Sequence, residues 1–482
     1  MVLGNPLIMG KDPPLYTGSY TISPTAAEQV IPTQGKLMSS DLVVGACPSG
    51  AGIGSYMKAR AEGEFDELID EVGAITKIGK YAFYSCDQLF RLSLPSVSVI
   101  SQYAFVGCSI LRRVDIPNVE EIGTYAFSQC SNISMASFSR LVSMGSCAFR
   151  ACESMQAVFL PLIEMIPNNA FEWCRSLSSI YLPNVKAVFG NAFCYCTSLS
   201  RISLSLASII DGGAFMSCTM LASVSLPVCT RVGGGAFSSC TALKSIELPQ
   251  AQTIDGGAFS GCTALSAVNL PEALTIGNYG FSNCTALTSL NLPKVRTIGD
   301  SVFSNCRALT SLELPQARTI GGWIFYSCTN LREVSLPEVT AMGQYVFSGL
   351  TALRRVYMPK LKSIAYAAFS GCINLSDVTF DEVAYISAAA FYVCSGLSSL
   401  VFPALSYIGY NAFSNCNRLK DLYLPGSSMV TLYDRNVFNF TPMVNSTYIG
   451  EFGSIHVPAS LYESYLNNGS WSWFSSRFVS IE

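Results

Sequence analysis

Residues 276–298 read I-G-N-Y-G-F-S-N-C-T-A-L-T-S-L-N-L-P-K-V-R-T-I, and this stretch decides the fold. Leu290 and Leu292 alternate with a polar residue, which is the period-2 pattern of a short strand with one buried face. Pro293 has no backbone N–H to donate, so it ends that strand. After the isoleucine-glycine pair the chain turns back toward the start of the next strand. Phe281, in this connecting segment, supplies a large apolar ring to the interior. The stretch therefore predicts one coil built around a short strand.

The same unit recurs every 22 residues without insertion, and a fixed period of this kind is the sequence signature of a repeat array. Cysteine follows the phenylalanine of each unit by three residues, except where Leu350 replaces it. Leucine follows by six residues, except at Ile133 and Met155. We call the recurring aromatic residues the ladder phenylalanines: Phe83, Phe105, Phe127, Phe149, Phe171, Phe193, Phe215, Phe237, Phe259, Phe281, Phe303, Phe325, Phe347, Phe369, Phe391 and Phe413.

A single coil leaves its apolar face open, so its stability must come from stacking on neighbouring coils. With a strand spacing of about 4.8 Å, the array gives a ladder on the order of 75 Å long. An array of helix pairs is excluded, because a repeat that holds a proline, a glycine and a strand leaves no room for two helices. The pattern predicts a β-rich solenoid of about sixteen coils with aromatic rings and thiols inside. Representative members of this core ladder are Phe237, Cys240, Phe259, Cys262, Phe281, Cys284, Phe303 and Cys306.

The unit resembles the leucine-rich repeat of the BspA or Treponema pallidum type. Repeats of that type carry the same elements, C-x-x-L-x-x-I-x-L-P and I-x-x-x-A-F, and the resemblance covers roughly residues 78–429. It implies a leucine-rich-repeat solenoid, and we expect a cap at each end. It also implies a surface or secreted binding protein of bacteria or parasites, and similar repeats occur in phages of gut Firmicutes.

Composition excludes several classes of function. Half of the residues are hydrophobic and 13% are charged, which favours an extensive buried interior over disorder. No apolar run reaches the ~18 residues of a membrane-spanning helix. The net charge of −3 and the absence of a long Lys/Arg run are unlike a protein that binds phosphate backbones. We therefore expect neither nucleic acid as a partner nor a membrane span.

Fifteen of the 19 cysteines follow the 22-residue grid. Neighbouring ladder cysteines are expected within the Cα distance that a disulfide tolerates, but parallel Cβ directions in stacked coils disfavour its dihedral angle. Zinc requires ligands that converge, and a linear ladder does not provide them. We interpret the cysteines as reduced thiols packed as small apolar side chains, with disulfides and a metal site as the alternatives.

No constellation of residues with catalytic chemistry is evident. The single histidine, His456, lies near the carboxyl terminus, and no nucleophile motif surrounds it. Carboxylate pairs such as Asp381 and Glu382 are typical of solvated faces. Three glycines at 233–235 occupy a turn that holds Asp-Gly-Gly in other coils, which indicates a turn variant rather than a phosphate loop. The sequence predicts no catalytic residue, no cofactor and no metal.

Binding contacts are expected where the repeat leaves side chains free, in the two outward positions beside the central strand residue. Most of these positions hold small polar residues, but aromatic residues cluster at 159–181 and basic and aromatic residues at 354–357. Tyrosine and arginine are frequent interface anchors. Neutral drift on a tolerant face is the alternative. The candidate contacts are Phe159, Tyr181, Arg354, Arg355, Tyr357 and Tyr423.

Residues 1–47 differ from the repeats. Y-T-G-S-Y-T-I-S-P from Tyr16 and T-Q-G-K-L-M-S-S-D-L-V-V from Thr33 resemble a short module of structural and tail-associated proteins of Firmicute phages. So short a piece rarely forms its own core. We expect two strand-like pieces that dock on other virion proteins or form a homo-oligomer. Residues 48–77 are expected to be a linker and an amino-terminal cap, partly helical at 68–72.

Residues 430–482 are predicted to cap the other end of the array, because an end coil exposes its core. The segment 455–458 has the pattern of a last strand. Ser460 and Glu463 have the spacing of a capping box that opens a short helix. The plug of the cap is expected from Trp471, Trp473 and Phe474.

These features predict a non-catalytic binding or adhesion protein that presents its repeats to a glycan or protein on a host surface. The amino terminus lacks the pattern of a secretory signal. Together with the thiols and the resemblance of residues 1–47, this favours a phage virion component associated with a tail or fibre. The alternative is a BspA-like adhesin on a bacterial cell surface, whose export signal is not in this chain.

Overall fold

The computed structural model describes residues 76–444 and 452–482, together with the backbone of two upstream strands, Gly35–Met38 and Phe65–Ile69. The strand-like pieces predicted within residues 1–47 lie outside the described residues, apart from Gly35–Met38. Within the described residues, no helix is long and apolar enough to span a bilayer.

Each coil contributes two short strands, separated by a turn at the proline position, and all strand pairs are parallel. We call the first set the front strands: Gly35–Met38, Phe65–Ile69, Arg91–Ser93, Arg113–Asp115, Met135–Ser137, Ala157–Phe159, Ser179–Tyr181, Arg201–Ser203, Ser223–Ser225, Ser245–Glu247, Ala267–Asn269, Ser289–Asn291, Ser311–Glu313, Glu333–Ser335, Arg355–Tyr357, Asp377–Thr379, Ser399–Val401, Asp421–Tyr423, Ser454–Pro458 and Phe478–Ile481.

The second set, the side strands, are two residues long. They are Lys77–Ile78, Val99–Ile100, Glu121–Ile122, Ser143–Met144, Met165–Ile166, Ala187–Val188, Ile209–Ile210, Arg231–Val232, Thr253–Ile254, Thr275–Ile276, Thr297–Ile298, Thr319–Ile320, Ala341–Met342, Ser363–Ile364, Tyr385–Ile386, Tyr407–Ile408 and Thr431–Leu432.

The register advances by one repeat from coil to coil. Among the front strands, Ser245 pairs with Ala267, which pairs with Ser289. Among the side strands, Thr275 pairs with Thr297. Equivalent residues of successive coils therefore form columns along the solenoid. The predicted leucine-rich-repeat solenoid is confirmed.

The ladder phenylalanines form a continuous stack inside the solenoid. Successive ring centroids lie 4.9 Å apart at Phe347 and Phe369 and up to 6.0 Å apart at Phe281 and Phe303. The stack continues from Phe413 to Phe438 at 5.6 Å, although Phe438 lies three residues beyond the grid. The representative ladder residues from Phe237 to Cys306 are fully buried, so the stack forms the centre of the core.

Two residues of each coil adopt the left-handed backbone conformation, two positions before and two positions after the ladder phenylalanine. Around Phe105 these are Tyr103, with φ 59°, and Gly107, with φ 73°. Their N–H groups donate to Thr124 and Ser128 of the next coil at 3.0 and 2.9 Å. The left-handed conformation thus allows these two residues to form backbone hydrogen bonds with the next coil.

We call the first of these left-handed positions the outer-turn column. Its members are Tyr81, Tyr103, Tyr125, Cys147, Asn169, Asn191, Gly213, Gly235, Gly257, Tyr279, Ser301, Trp323, Tyr345, Ala367, Ala389 and Asn411.

The amino-terminal cap contains a strand where a partly helical segment was predicted. Phe65–Ile69 pairs in parallel with Arg91–Ser93, and Glu67 lies opposite Arg91. The prediction of helix at 68–69 is therefore wrong. The physical reason is that the strand Arg91–Ser93 has a free edge, whose backbone groups a helical turn at 68–69 would leave unpaired.

The carboxy-terminal cap continues the front strands. Ser454–Pro458 pairs with Asp421–Tyr423, as expected for 455–458, but it is followed by one more strand. Three short helices and the last strand follow in the order Ala459–Leu461 (3-10), Tyr462–Leu466 (α), Ser472–Arg477 (3-10) and Phe478–Ile481 (strand). A further 3-10 turn, Arg435–Phe438, lies within the cap before Ser454–Pro458.

Two details predicted for this cap are wrong. No side chain caps the helix that begins at Tyr462, so the capping box does not form. Trp471 and Phe474 are buried, but Trp473 is 60% exposed and lies under the guanidinium of Arg435 at 4.8 Å. A guanidinium over an indole face is favourable while the ring remains open to solvent.

Candidate binding surface

The front strands turn their first and third residues outward. Their central residues, such as Val158 and Leu312, are buried, because alternate side chains of a strand point to opposite faces. The outward positions are mostly serine, asparagine and charged residues. Large apolar side chains in these positions therefore stand out as candidate contacts.

Phe159 and Tyr181 form an exposed aromatic pair on this face. They end the neighbouring strands Ala157–Phe159 and Ser179–Tyr181 and lie opposite each other in register. Their ring centroids are 5.2 Å apart with planes 5° apart, and the side chains are 41% and 51% exposed. The parallel pairing of the strands fixes the stack, so both rings are held rigidly in solvent.

Met135 adds an exposed apolar side chain on the preceding strand, in the other outward column. It begins Met135–Ser137, pairs with Ala157 and is exposed. We call Met135, Phe159 and Tyr181 the strand-face patch. Met135 was not among the contacts expected from the sequence, although a large apolar residue in an outward column is a signal that indicates such a contact.

The basic cluster is arranged differently. Arg355 lies between two carboxylates of adjacent strands: its Nε is 2.9 Å from Asp377 Oδ2, and its Nη1 is 3.7 Å from Glu333 Oε1. These exposed ion pairs add little stability, but they occupy the guanidinium. Arg354 and Tyr357 are exposed beside it. In this region Tyr357 and Arg354 are therefore better placed than Arg355 to contact a binding partner.

Tyr423 is not an open contact, and the expectation that it is exposed is wrong. Its ring stacks on the imidazole of His456 with centroids 4.0 Å apart and planes 7° apart. His456 Nε2 lies 2.9 Å from Asp421 Oδ1. The pairing of Ser454–Pro458 with the last repeat strand places the histidine there. His456 thus joins the cap to the array.

The ladder thiols form a hydrogen-bonded spine. Cys262 Sγ donates to the carbonyl oxygen of Phe237 in the preceding coil at 3.1 Å. Burial raises the pKa of Cys262 to about 12, so the thiol remains protonated and is a poor nucleophile. The same bond, at 2.9 to 3.2 Å, is made by Cys108, Cys130, Cys152, Cys174, Cys196, Cys218, Cys240, Cys262, Cys284, Cys306, Cys328, Cys372, Cys394 and Cys416.

The part of the chain that the structure describes contains no group of three or more His, Cys, Asp or Glu side chains placed to hold a metal ion.

A family model described as the BspA type leucine rich repeat region matches residues 76–200, 164–275, 252–362 and 340–462. No curated protein matches the chain. The solved structure of a leucine-rich repeat protein from Bacteroides ovatus is similar in fold, with a TM-score of 0.56, 24% identity, and coverage of 77% of this chain and 88% of that one.

Two further structures match with lower TM-scores. The Treponema pallidum leucine rich repeat protein has 27% identity and a TM-score of 0.29, over 36% of this chain and 77% of that one. A leucine rich cell surface protein from Faecalibacterium prausnitzii has 22% identity and a TM-score of 0.28, over 74% of this chain and 84% of that one. Because the family model extends over most of the sequence, the chain belongs to the BspA-type leucine-rich-repeat family.

Proposed function

We propose that this chain is a non-catalytic binding protein whose strand-face patch contacts a molecule on a host surface. The proposal rests on the exposed Phe159–Tyr181 stack, on a face whose outward positions are mostly polar or charged. Contiguous apolar groups exposed on a rigid sheet are typical of contact surfaces. Rings already fixed by strand pairing lose little conformational freedom on binding.

A protein is the partner that this patch favours. Phe159 and Tyr181 each cover one face of the other ring, so the pair presents ring edges, the outer face of each ring and a hydroxyl to an approaching molecule. Met135 adds a flexible, polarisable side chain that adapts to irregular apolar surfaces. Aromatic rings beside a thioether suit the apolar side chains of a protein partner.

The strand-face patch can be tested by joint replacement of Phe159 and Tyr181 with serine. Loss of two aromatic anchors is expected to weaken attachment of the full chain to host cells by at least tenfold. Tyr357→Ser tests the second cluster separately. Val401→Ser is the matched control, because Val401 is an exposed apolar residue of the same face further along the array. Unchanged attachment of the double variant contradicts the proposal.

The place of display is a second part of the proposal. The motif of residues 1–47 supports attachment to other virion proteins, with the solenoid held outward from a tail or fibre as a homo-oligomer. Membership of the BspA-type family supports the alternative, an adhesin on a bacterial cell surface. Mass spectrometry of purified virions and of washed cell envelopes separates the two, since the chain should be enriched in one fraction.

A further inference from the structure

Large apolar side chains are exposed on one part of the side face, by which we mean the side strands and the turns directly before them. They lie within four successive coils and are 39% to 59% exposed. Further along the array, the first side-strand residue is threonine in four successive coils from Thr253 onward. Exposed apolar patches of this kind typically mark a contact surface. We call these residues the side-face strip: Val142, Leu162, Met165, Leu206 and Ile209.

A groove of about 390 Å³ opens within this strip, between the side strands Ser143–Met144 and Met165–Ile166. One coil earlier, the N–H of Gly145 donates to the carbonyl oxygen of Ile122 at 2.7 Å. The equivalent residue of the next coil is Pro167, which has no N–H to donate. Within the described residues, no backbone hydrogen bond joins the two strands beside the groove. Its lining includes Val142, Leu162 and Met165 of the strip.

Charged residues around the strip are arranged with acids at one end and a base at the other. Glu120 and Glu121 lie at the amino-terminal end, and Arg231 lies at the carboxy-terminal end. Near the middle, Lys186 Nζ is 2.8 Å from Glu164 Oε1. All five side chains are exposed. An identical surface that runs in the opposite direction would therefore meet this one with opposite charges at both ends.

Two of the end charges have a partner on the same chain. Glu120 is 3.1 Å from Arg140, and Arg231 is 2.7 Å from Asp255. Glu121 takes part in no ion pair of the described residues. A guanidinium has five N–H donors, so an exposed arginine that already has one carboxylate partner can bind a second. The end charges are therefore available for contacts with another molecule.

We propose that a second copy of this chain covers the side-face strip, antiparallel to the first, about a two-fold axis between the coils of Met165 and Ala187. A two-fold interface uses the same surface on both copies, so every contact occurs twice. At each end, Arg231 of one copy meets Glu120 and Glu121 of the other. The two ends of the strip are thus held by ion pairs between the copies.

The same reversal pairs the apolar residues. Ile209 of each copy packs on Val142 of the other and enters its groove. At the axis, Lys186 of each copy lies beside Glu164 of the other, so the two ion pairs form an alternating network of four charges. The strip extends over five coil spacings, on the order of 25 Å. A contact of this size is smaller than that of permanent dimers, so the association is weak and reversible.

The test is sedimentation velocity of the full chain at low salt, at concentrations from micromolar to millimolar. Association into dimers should increase reversibly with concentration. Ile209→Ser removes the side chain that enters the groove and should weaken this association at least fivefold. Leu274→Ser is the matched control, because Leu274 is also 39% exposed on the side face but lies outside the strip. Absence of association at millimolar concentration, or equal effects of the two variants, overturns the proposal.

Charge reversal tests the antiparallel arrangement. Arg231→Glu should weaken association at least fivefold, because like charges then meet at both ends of the strip. Joint replacement of Glu120 and Glu121 with arginine should do the same. All three replacements in one chain should restore association, since opposite charges meet again, and circular dichroism checks that each variant is folded. Failure of the triple variant to associate, or association that no variant weakens, overturns the proposed interface.

Discussion

The indole nitrogen of Trp471 donates a hydrogen bond of 2.7 Å to the carbonyl oxygen of Val430. The hydroxyl of Tyr465 accepts a hydrogen bond of 2.9 Å from the N–H of Val430. All three residues are buried. Val430 lies after the last repeat, so two side chains of the cap take the place of the next coil as its hydrogen-bond partners.

Trp471→Phe is therefore expected to loosen the end of the array. The phenyl ring retains most of the packing but leaves the buried carbonyl of Val430 without the indole donor, at a cost of about 1–3 kcal/mol. Hydrogen exchange should accelerate in the strand Thr431–Leu432. The control is Trp473→Phe, which changes an exposed ring and should leave exchange unaltered. Equal effects of the two variants would count against this role of the cap.

Val393→Asn is expected to stabilise the protein. Val393 is β-branched and has a φ of 62°, a left-handed conformation that asparagine tolerates better. The gain should be about 1 kcal/mol, measured as the midpoint of urea unfolding. Gly371→Val makes the reverse change at the equivalent position of the previous coil, where φ is 77°, and should destabilise by at least as much. A Val393→Asn variant less stable than the parent contradicts the prediction.

The ladder thiols should be inert in the folded protein. Cys262 and its equivalents are buried, and burial raises their pKa values, so little thiolate is present at neutral pH. With a disulfide-exchange reagent at pH 8, we expect none of the described cysteines to react quickly. In urea all 19 cysteines should react. Rapid labelling of ladder thiols without urea would show that the coils open readily.

Stability should fall in alkaline solution. Burial raises the pKa of Cys262, Cys328 and Cys416 from 9.0 to about 12. A raised folded-state pKa means that the unfolded chain releases protons first, so stability is complete below pH 9 and is lost as the pH rises from 9 towards 12. Each such thiol removes about 1.4 kcal/mol per pH unit in that window.

The measurement is the free energy of unfolding from urea titrations between pH 8 and 10. A variant with Cys240, Cys262, Cys284 and Cys306 replaced by serine should show a shallower decline, because serine does not ionise there. Identical slopes for the parent and the variant contradict a contribution of the thiols.

The repeat made the core predictable from the sequence. The spacing from Phe281 to Cys284 predicts that a ring and a thiol recur inside the solenoid. The alternation of Leu290 and Leu292 predicts the short strand. These core positions are the same in every repeat, so one correct interpretation of the unit applies to all the coils. The outward columns followed from the same alternation, which is why Phe159 and Tyr181 could be selected.

The rest depended on contacts that no repeat encodes. Tyr423 is half-buried because a strand from the cap brings His456 against it. Arg355 is occupied because acidic residues happen to flank it in both adjacent coils. The outer-turn column was missed because its left-handed backbone is filled by tyrosine, tryptophan and serine as well as glycine, so composition did not reveal it.

The constant register from Ser245 to Ala267 to Ser289 has an evolutionary consequence. An in-frame duplication or deletion of one unit of coding DNA preserves every pairing on either side and changes only the length of the array. Each such event lengthens or shortens the array by about 4.8 Å and brings new side chains into neighbouring positions. Recombination between repeats can therefore alter both the reach of this protein and the pattern of rings on its surface in a single step.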